Sequence, residues 1–315
     1  MSNSRIIFIL AFIVIIGGGF ILFPKATHHG EHASDTVSVV TTLFPLYDMA
    51  REIGGDYANA TLLLPPGMSP HSYEPTPSDM LAIADADIFV YTGPFMEPWV
   101  EDILAGMDTG SMIIVDASAH ADIHTEEEHA DEADDHDHET GDPHIWLSPH
   151  NARIIAHDIG AALVQSLSQY TSDIENARDT YVATLDTIFE AYDTGLAQCE
   201  TRTLVYGGHY AFGYIAEAFD LEYIAAQGYS PNAEPSAQDL ATLSDIIERE
   251  SATAIFTSEL ESPIIAETLA RETGVNVLLL NPAGNIGKDA HDAGITFIDI
   301  LKSNLTALHE GLRCE

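Results

Sequence analysis

The chain has 315 residues, of which 50 are acidic and 11 are lysine or arginine, and its formal net charge at pH 7 is −39. Such a surface repels nucleic acid and anionic lipid head groups, so neither is an expected partner, whereas cations are attracted to it. The length allows one large core or two modest cores, and two cores are expected once the N-terminus is set aside.

An almost unbroken apolar run extends from Ile6 to Phe23. It is long for the apolar part of a signal peptide and borderline for a membrane span, and either kind of segment exports the rest of the chain. Both a cleaved signal peptide and an uncleaved anchor in the cytoplasmic membrane remain open for residues 6–23. The anchor is favoured, because no small-x-small cleavage site stands out and no nearby cysteine could carry a lipid. Residues 1–34 are therefore assigned to this segment and a linker that contains three histidines, His28, His29 and His32.

Short β-rich runs alternate with helical patterns from Asp35 onwards. Eight strands are predicted, at Val37–Thr42, Ala60–Leu64, Ile88–Tyr91, Ile113–Asp116, Thr203–Tyr206, Glu222–Ala225, Ala254–Thr257 and Val277–Leu280. Alternation of this kind with short connections is typical of an α/β fold, in which helices cover both faces of a parallel sheet.

Between the two series of strands, apolar residues at helical spacing predict one amphipathic helix from Asp173 to Gln198. About 25 residues at 1.5 Å each make this helix about 37 Å long. The chain therefore divides into a first lobe at residues 35–170, a bridging helix at 171–200 and a second lobe at 201–315. A single stiff helix is expected to hold the two lobes at a nearly fixed separation.

Residues 120–142 interrupt the first lobe with a histidine-rich and acidic loop that cannot build a core. One interpretation is a solvated linker, and the other is a mobile collector or sensor of zinc. In the second interpretation the auxiliary metal ligands are His120, His124, His129, His136 and His138.

Three further histidines stand in unusual loops. His71 and His209 each lie in a loop after a predicted strand, and His144 lies at the exit of the acidic loop. Ligands of open parallel sheets bind beyond the carboxyl ends of the strands, so the three imidazoles could converge on one cleft. Three imidazoles form a standard zinc shell with a fourth position left for water, a carboxylate or an amide oxygen, and a shell dominated by histidine favours zinc over manganese.

Several residues near these histidines could hold the imidazoles in position. The prolines near His71 fix φ angles and lower the entropy cost of ordering a ligand loop. Glu74 and Asp142 are candidates for hydrogen bonds that orient the imidazole rings, although turn and helix-cap roles remain open for both. Glu259 and Glu261 follow a strand at the level of the cleft. Glu259 is a candidate for a cap or a hydrogen bond to the site, and direct binding of the metal by Glu259 remains equally open.

The two cysteines, Cys199 and Cys314, reach an oxidising compartment if the chain is exported. A single disulfide between them is favoured over two unrelated buried thiols, because exposed free thiols are usually avoided outside the cell.

Three segments, PPGMSPHSYEPTPSD, DPHIWLSP and GGHYAFGYIAEAFDLE, resemble the signature motifs of the zinc and manganese solute-binding receptors of bacterial ABC importers. The similarity runs from about Val37 to near the C-terminus and keeps the family's order of motifs. It implies two four-stranded α/β lobes, bridged by one long rigid helix, with one metal in the cleft between the lobes. The loop rich in histidine and acid is typical of the zinc-specific branch of this family.

By this resemblance, His71, His144 and His209 correspond to the family's first three metal ligands. The fourth is usually an aspartate, where this chain has Asn281, so the candidates for the fourth position are Asn281 oxygen, Glu74 and water. The resemblance implies a monomeric receptor that is not an enzyme, that binds Zn²⁺ outside the cytoplasmic membrane and that delivers it to a permease driven by a cytoplasmic ATPase.

Three alternatives remain open. A manganese receptor of the same family would be expected to carry more carboxylate. A zinc hydrolase with three histidine ligands and Glu74 or Glu259 as base belongs to a different class, but the chain has no H-E-x-x-H pair on a helix. Adhesion to host surfaces has been linked to some members of the family, and the residues argue neither for it nor against it.

Overall fold

The protein is described by a computed structural model that covers residues 36–125, 141–229 and 235–315. Our expectations for residues 1–34 and for His129, His136 and His138 lie outside these ranges. Within them, no helix combines the length and the apolar character that crossing a membrane requires.

The first half contains a four-stranded parallel sheet. Its strands are β1 (Val37–Thr41), β2 (Ala58–Leu62), β3 (Ile88–Tyr91) and β4 (Ile113–Asp116), in the spatial order β2-β1-β3-β4. In this register Val39 pairs with Ala60 on one side and with Ile88 on the other. The helices of this half are α1 (Phe44–Gly54), α2 (Pro77–Ala84), α3 (Trp99–Gly106) and α4 (Pro149–Ser166).

The second half repeats this arrangement. Its strands are β5 (Thr203–Tyr206), β6 (Glu222–Ala225), β7 (Ala254–Thr257) and β8 (Asn276–Leu279), in the order β6-β5-β7-β8 and all parallel. Its helices are α6 (Gly213–Ala218), α7 (Ala237–Arg249), α8 (Ile264–Thr273), α9 (Lys288–Asp292) and α10 (Phe297–Gly311). The loops that follow the strands of both sheets carry the residues of the candidate site, as the sequence predicts.

The long helix α5, Thr171–Leu196, joins the halves and has 26 residues. It packs against α1 and α4 of the first half and against α10 of the second. The predicted fold class, two four-stranded α/β lobes with a long helix between them, is therefore confirmed.

The C-terminal helix α10 makes a second connection between the halves that the sequence did not predict. The backbone N–H of Phe297, at the start of α10, donates a hydrogen bond to Oδ2 of the buried Asp48 on α1, at 2.9 Å. The hydroxyl of Tyr192 on α5 donates to the carbonyl of Leu301 at 2.7 Å. One buried apolar cluster runs from Val39 of the first sheet to Phe256 of the second. The separation of the lobes is thus fixed by two helices and a shared core.

Cys199 and Cys314 form the disulfide that the sequence favours. The backbone also forms an isolated antiparallel β-bridge between these two cysteines. The disulfide ties the chain just after α5 to the chain just after α10, so it reinforces the same interface.

Candidate metal centre

His71 reaches the site from the loop after β2. It lies on a single 3-10 turn, Pro70–Ser72, and is half-buried. Pro70 starts this turn, and the missing N–H of proline is no loss at a position where that group would have no partner within the turn. The loop therefore presents one imidazole on a stiff backbone.

His144 follows Asp142 and Pro143 and is 1% exposed. Asp142 holds this histidine twice, because Oδ1 accepts a hydrogen bond from the backbone N–H of His144 at 3.0 Å and lies 2.7 Å from its Nδ1. The ring of Trp146 packs against the imidazole edge-on, with 5.5 Å between the ring centroids. These contacts fix the direction in which Nε2 of His144 points.

His209 follows β5 through Gly207 and Gly208 and is 5% exposed. Its Nδ1 contacts Oε1 of Glu261, which lies in the loop between β7 and α8. A Cβ atom on Gly208 would clash with Oε2 of Glu261, and a Cβ atom on Gly207 would lie 2.8 Å from that of Ala266. Gly207 is therefore required by the close approach of the α8 backbone, whereas a side chain at Gly208 would make Glu261 shift.

The three imidazoles meet at their Nε2 atoms. Nε2 of His144 lies 3.2 Å from Nε2 of His71 and 3.1 Å from Nε2 of His209. The rings of His71 and His209 are 4.9 Å apart between centroids. Zn–N bonds of about 2.0 to 2.1 Å in a tetrahedron place two ligand nitrogens about 3.3 Å apart. The observed separations are therefore close to those of a zinc shell.

The carboxylate partners also bear on the protons of two rings. Asp142 and Glu261 face Nδ1 of His144 and His209. A ring that donates its Nδ1 proton to such a carboxylate presents the lone pair of Nε2 to a metal. Two lone pairs that face each other at 3.1 Å repel, and a cation between them removes this repulsion. The donor set therefore fits a divalent metal.

Burial keeps two of the rings neutral. Burial, together with the neighbouring His144 and His209, lowers the pKa of His71 to about 2. Burial and His209 also lower the pKa of His144 well below 6.5. Burial raises the pKa of Asp142 to about 7, although the backbone N–H of His144 opposes this rise. Neutral imidazole is the form that binds metal, so protons compete weakly with a metal at His71 and His144 near pH 7.

A cavity of about 520 Å³ opens at the three histidines. Both halves line it, with Pro70 and Trp146 from the first and Leu240, Ile264 and Pro282 from the second. Oε2 of Glu261 is buried and has no hydrogen-bond partner among the described residues. The wall is thus largely apolar.

Among the described histidines, cysteines and acids, His71, His144 and His209 are the only group of three or more whose ligand atoms all lie within 4.8 Å of one another. Glu74 is exposed and is not part of this group. Asn281 does not line the cavity, and its Oδ1 accepts a hydrogen bond from the N–H of Ala283 at 2.8 Å. The structure therefore brings together the three predicted histidines but neither candidate for a fourth protein ligand.

The supporting carboxylates are partly different from those we predicted. Asp142 holds His144 as expected. Glu259 is exposed, and it accepts a hydrogen bond from Nδ2 of Asn281 at 3.3 Å instead of contacting a histidine. Glu261 contacts His209 in its place. The sequence predicted that both glutamates lie at the level of the cleft. It could not predict which side chain faces His209, because the turn after β7 is irregular and has no periodicity.

Two of the five auxiliary loop histidines fall within the described residues, and each is paired with an acid outside the loop. Nδ1 of His120, which is exposed, lies 3.0 Å from Oδ2 of Asp158, and this contact raises the pKa of His120. His124 contacts Glu217 and stacks on Tyr214 with 4.0 Å between ring centroids. Neither histidine belongs to the three-imidazole cluster.

The fold has two α/β lobes, each with a parallel sheet, and a long helix joins them. With three imidazoles clustered in the cleft, this is the architecture of a metal-binding solute receptor. The chain belongs to the ZnuA family, described as the periplasmic component A of zinc-uptake complexes, whose family model matches residues 39–311.

Known relatives agree with this assignment. The chain is 36% identical over 286 residues to the high-affinity zinc uptake system protein ZnuA of Bacillus subtilis, which covers 90% of this chain and 89% of the relative. It is 33% identical to the zinc-binding lipoprotein AdcA of Streptococcus pneumoniae over 92% of this chain but only 58% of AdcA. The crystal structure of the Zn(II)-bound ZnuA-like domain of that AdcA matches with a TM-score of 0.75 and 32% identity, and the match covers 88% of this chain and 99% of the domain.

Proposed function

We propose that this protein is the extracytoplasmic zinc receptor of an ABC-type importer, with His71, His144 and His209 as the zinc ligands. The observation that carries the proposal is the convergence of three Nε2 atoms, since those of His71 and His209 lie 3.2 and 3.1 Å from that of His144. The rings of His144 and His209 are also held by carboxylates. Family membership and relatives named for zinc uptake support the same function.

Zinc is favoured over manganese by the donor set. Neutral imidazole suits zinc, whereas manganese prefers oxygen ligands. Neither Glu74 nor Asn281 reaches the cluster, so this site is poorer in oxygen than a manganese site should be. Water is our candidate for the fourth position.

Delivery to a permease with a cytoplasmic ATPase follows from membership in the family. We propose that the receptor acts as a monomer outside the cytoplasmic membrane and that residues 6–23 anchor it there. Its strongly negative surface suits capture of cations and does not suit nucleic acid.

The test is a competitive-chelator zinc titration of the full chain against two variants. His209→Ala removes one proposed ligand, and the other variant replaces His129, His136 and His138 by serine. We expect one tight zinc to be retained by the loop variant and lost by His209→Ala. Retention in His209→Ala with loss in the loop variant would place tight binding in the acidic loop and overturn the proposal.

We also propose that the protein is not an enzyme. The three-histidine hydrolase makes a different prediction, because it requires turnover by the zinc-loaded chain. A panel of ester and peptide substrates separates the two functions, and we expect no zinc-dependent hydrolysis above the rate of the His209→Ala variant.

A further inference from the structure

Residues 282–286, in the loop after β8, lie against the first half of the chain. Three hydrogen bonds join this segment to the first half besides those of Asn285: Gly67 N–H to Ile286 O (2.8 Å), Trp146 Nε1–H to Pro282 O (2.8 Å) and Phe44 N–H to Gly284 O (3.3 Å). Asn281, the candidate for the fourth ligand, is therefore followed in the chain by a segment that contacts the other lobe.

Asn285 uses both the donor and the acceptor atoms of its side-chain amide in this contact. It is 3% exposed, and its Nδ2 donates to the carbonyls of Pro65 and Met68, both at 2.8 Å. Its Oδ1 accepts the backbone N–H of Ile286 at 2.9 Å. A side-chain amide supplies two donors and an acceptor at one position, and aspartate of the same size supplies no donor.

A tight turn at Asn281 sets the direction of residues 282–286. Oδ1 of Asn281 accepts from the N–H of Ala283, which has a φ of +60° and is fully buried. Asn304 on α10 holds the backbone of Asn281 at both its N–H and its carbonyl, at 2.8 and 2.7 Å. The side chain of Asn281 thus shapes the loop.

The carbonyls that Asn285 holds belong to the loop that carries His71. Asp142 and Glu261 fix His144 and His209, but no carboxylate contacts His71 among the described residues. The position of His71 therefore depends on its loop, and Asn285 ties that loop to the second half.

We propose that Asn285 is a positioning residue of the zinc site and that residues 282–286 form an interlobe clasp, which holds His71 in place through residues 65–70. This inference rests on the proposed function, since it describes how the same site retains its zinc. Detachment of the clasp frees His71 and leaves zinc on two fixed imidazoles, so the clasp controls zinc release more than zinc capture.

The test uses Asn285→Ala and Asn285→Asp in the full chain. We expect both variants to bind zinc about 10- to 100-fold more weakly, as is usual when a group that orients a ligand is lost. The zinc dissociation rate should rise by a similar factor, while the association rate changes less. The d–d absorbance of a cobalt-loaded variant should fall, because one imidazole no longer holds its place in the tetrahedron.

The matched control is Tyr192→Phe, which removes another buried donor to a backbone carbonyl, that of Leu301, away from the site. We expect it to lower the stability of the fold without changing the zinc dissociation rate. If the Asn285 variants bind zinc within threefold of the wild type, or lose no more affinity than Tyr192→Phe, the clasp has no role in the site. Failure of the wild-type chain itself to bind zinc would instead overturn the proposed function.

A second measurement needs no variant. The amide of Gly67 donates across the clasp to Ile286, and coupling between two sites is reciprocal. Zinc should therefore slow hydrogen exchange at the Gly67 amide by at least about tenfold. An unchanged exchange rate would show that the clasp is not coupled to the metal, even if the Asn285 variants fail to fold.

Discussion

Oε1 of Glu261 contacts Nδ1 of His209, whereas Glu259, two residues earlier, hydrogen-bonds Nδ2 of Asn281. The two glutamates share one loop but face different neighbours, and only Glu261 lines the cavity. A carboxylate on Nδ1 keeps the proton there, which leaves Nε2 free to bind metal and increases its basicity.

Glu261→Gln should weaken zinc binding by about 10-fold or more, because the neutral amide supports His209 less well than a carboxylate. The measurement is a competitive-chelator titration at pH 7. Glu259→Gln is the matched control, since it removes the same charge two residues away, and its affinity should stay within about twofold. Equal losses in both variants would mean that the negative charge matters only through its long-range field.

Gly208→Ala should also weaken zinc binding, by about 10-fold or more, although it touches no ligand atom directly. The new methyl group would clash with Oε2 of Glu261, so the glutamate has to move away from His209. Gly228→Ala is the control, because nothing lies within 4 Å of its added Cβ. Isothermal titration of both variants with zinc checks this, and an unchanged affinity in Gly208→Ala contradicts the role assigned to Glu261.

Asn281→Asp introduces a carboxylate at the position that the sequence proposes for a fourth ligand, yet we expect zinc affinity to rise by no more than about threefold. Oδ1 of residue 281 is engaged by the N–H of Ala283, and the new carboxylate would face Glu259 at about the present 3.3 Å. Like charges that close destabilise each other. A tenfold gain in affinity in a chelator titration would show that this side chain does reach the metal.

The fold was largely predictable from local pattern. Buried parallel strands read as short apolar runs, and the predicted bounds of β3 to β7 agree with the structure. Strand β2 begins and ends two residues earlier than predicted, at Ala58 and Leu62. Leu63 and Leu64 are buried just beyond the strand, so their apolar character placed the predicted end too late. The contact of α10 with α1 could not be predicted, because it depends on how distant segments pack.

The site was predictable only in part, for a similar reason. Histidines in loops after strands converge because parallel strands bring their carboxyl ends to one edge. The choice between Glu259 and Glu261, and the clasp at Asn285, depend on the direction of side chains in irregular loops. In hindsight, the paired glycines before His209 were the available signal that another chain segment approaches closely there.

Loss of the disulfide should lower stability without affecting the metal site. Cys199 and Cys314 close a loop with a sequence separation of 115, for which the chain-entropy model gives about 4 to 5 kcal/mol. The Cys199→Ser/Cys314→Ser double variant should therefore unfold at a lower urea concentration, with the free energy of unfolding reduced by about 2 to 5 kcal/mol. Zinc affinity at 25 °C should be unchanged, and a tenfold loss would mean that the disulfide positions the lobes.

The buried Glu97 makes stability depend on pH with an unusual sign. Thr42 Oγ1 donates to its Oε1 at 2.6 Å, and the backbone amides of Thr92 and Gly93 donate to its Oε2, each at 3.1 Å. Burial nevertheless raises the pKa of Glu97 from 4.5 to about 7. The folded state therefore holds the proton more tightly than the unfolded state, and stability falls as pH rises from about 4.5 to about 7.

A rise of this size corresponds to about 3 kcal/mol of stability lost above pH 7. Glu97→Gln keeps the shape and the hydrogen bonds, since the amide can donate to Thr42 Oγ1 and its oxygen can accept the two backbone amides. We expect this variant to be more stable than the wild type by about 1 to 3 kcal/mol at pH 8 and nearly equal to it at pH 4.5, as measured by urea unfolding. Because both chains share every other titrating group, the difference between them isolates Glu97. A constant difference at both pH values would show that the carboxyl group of Glu97 does not change its ionisation on folding.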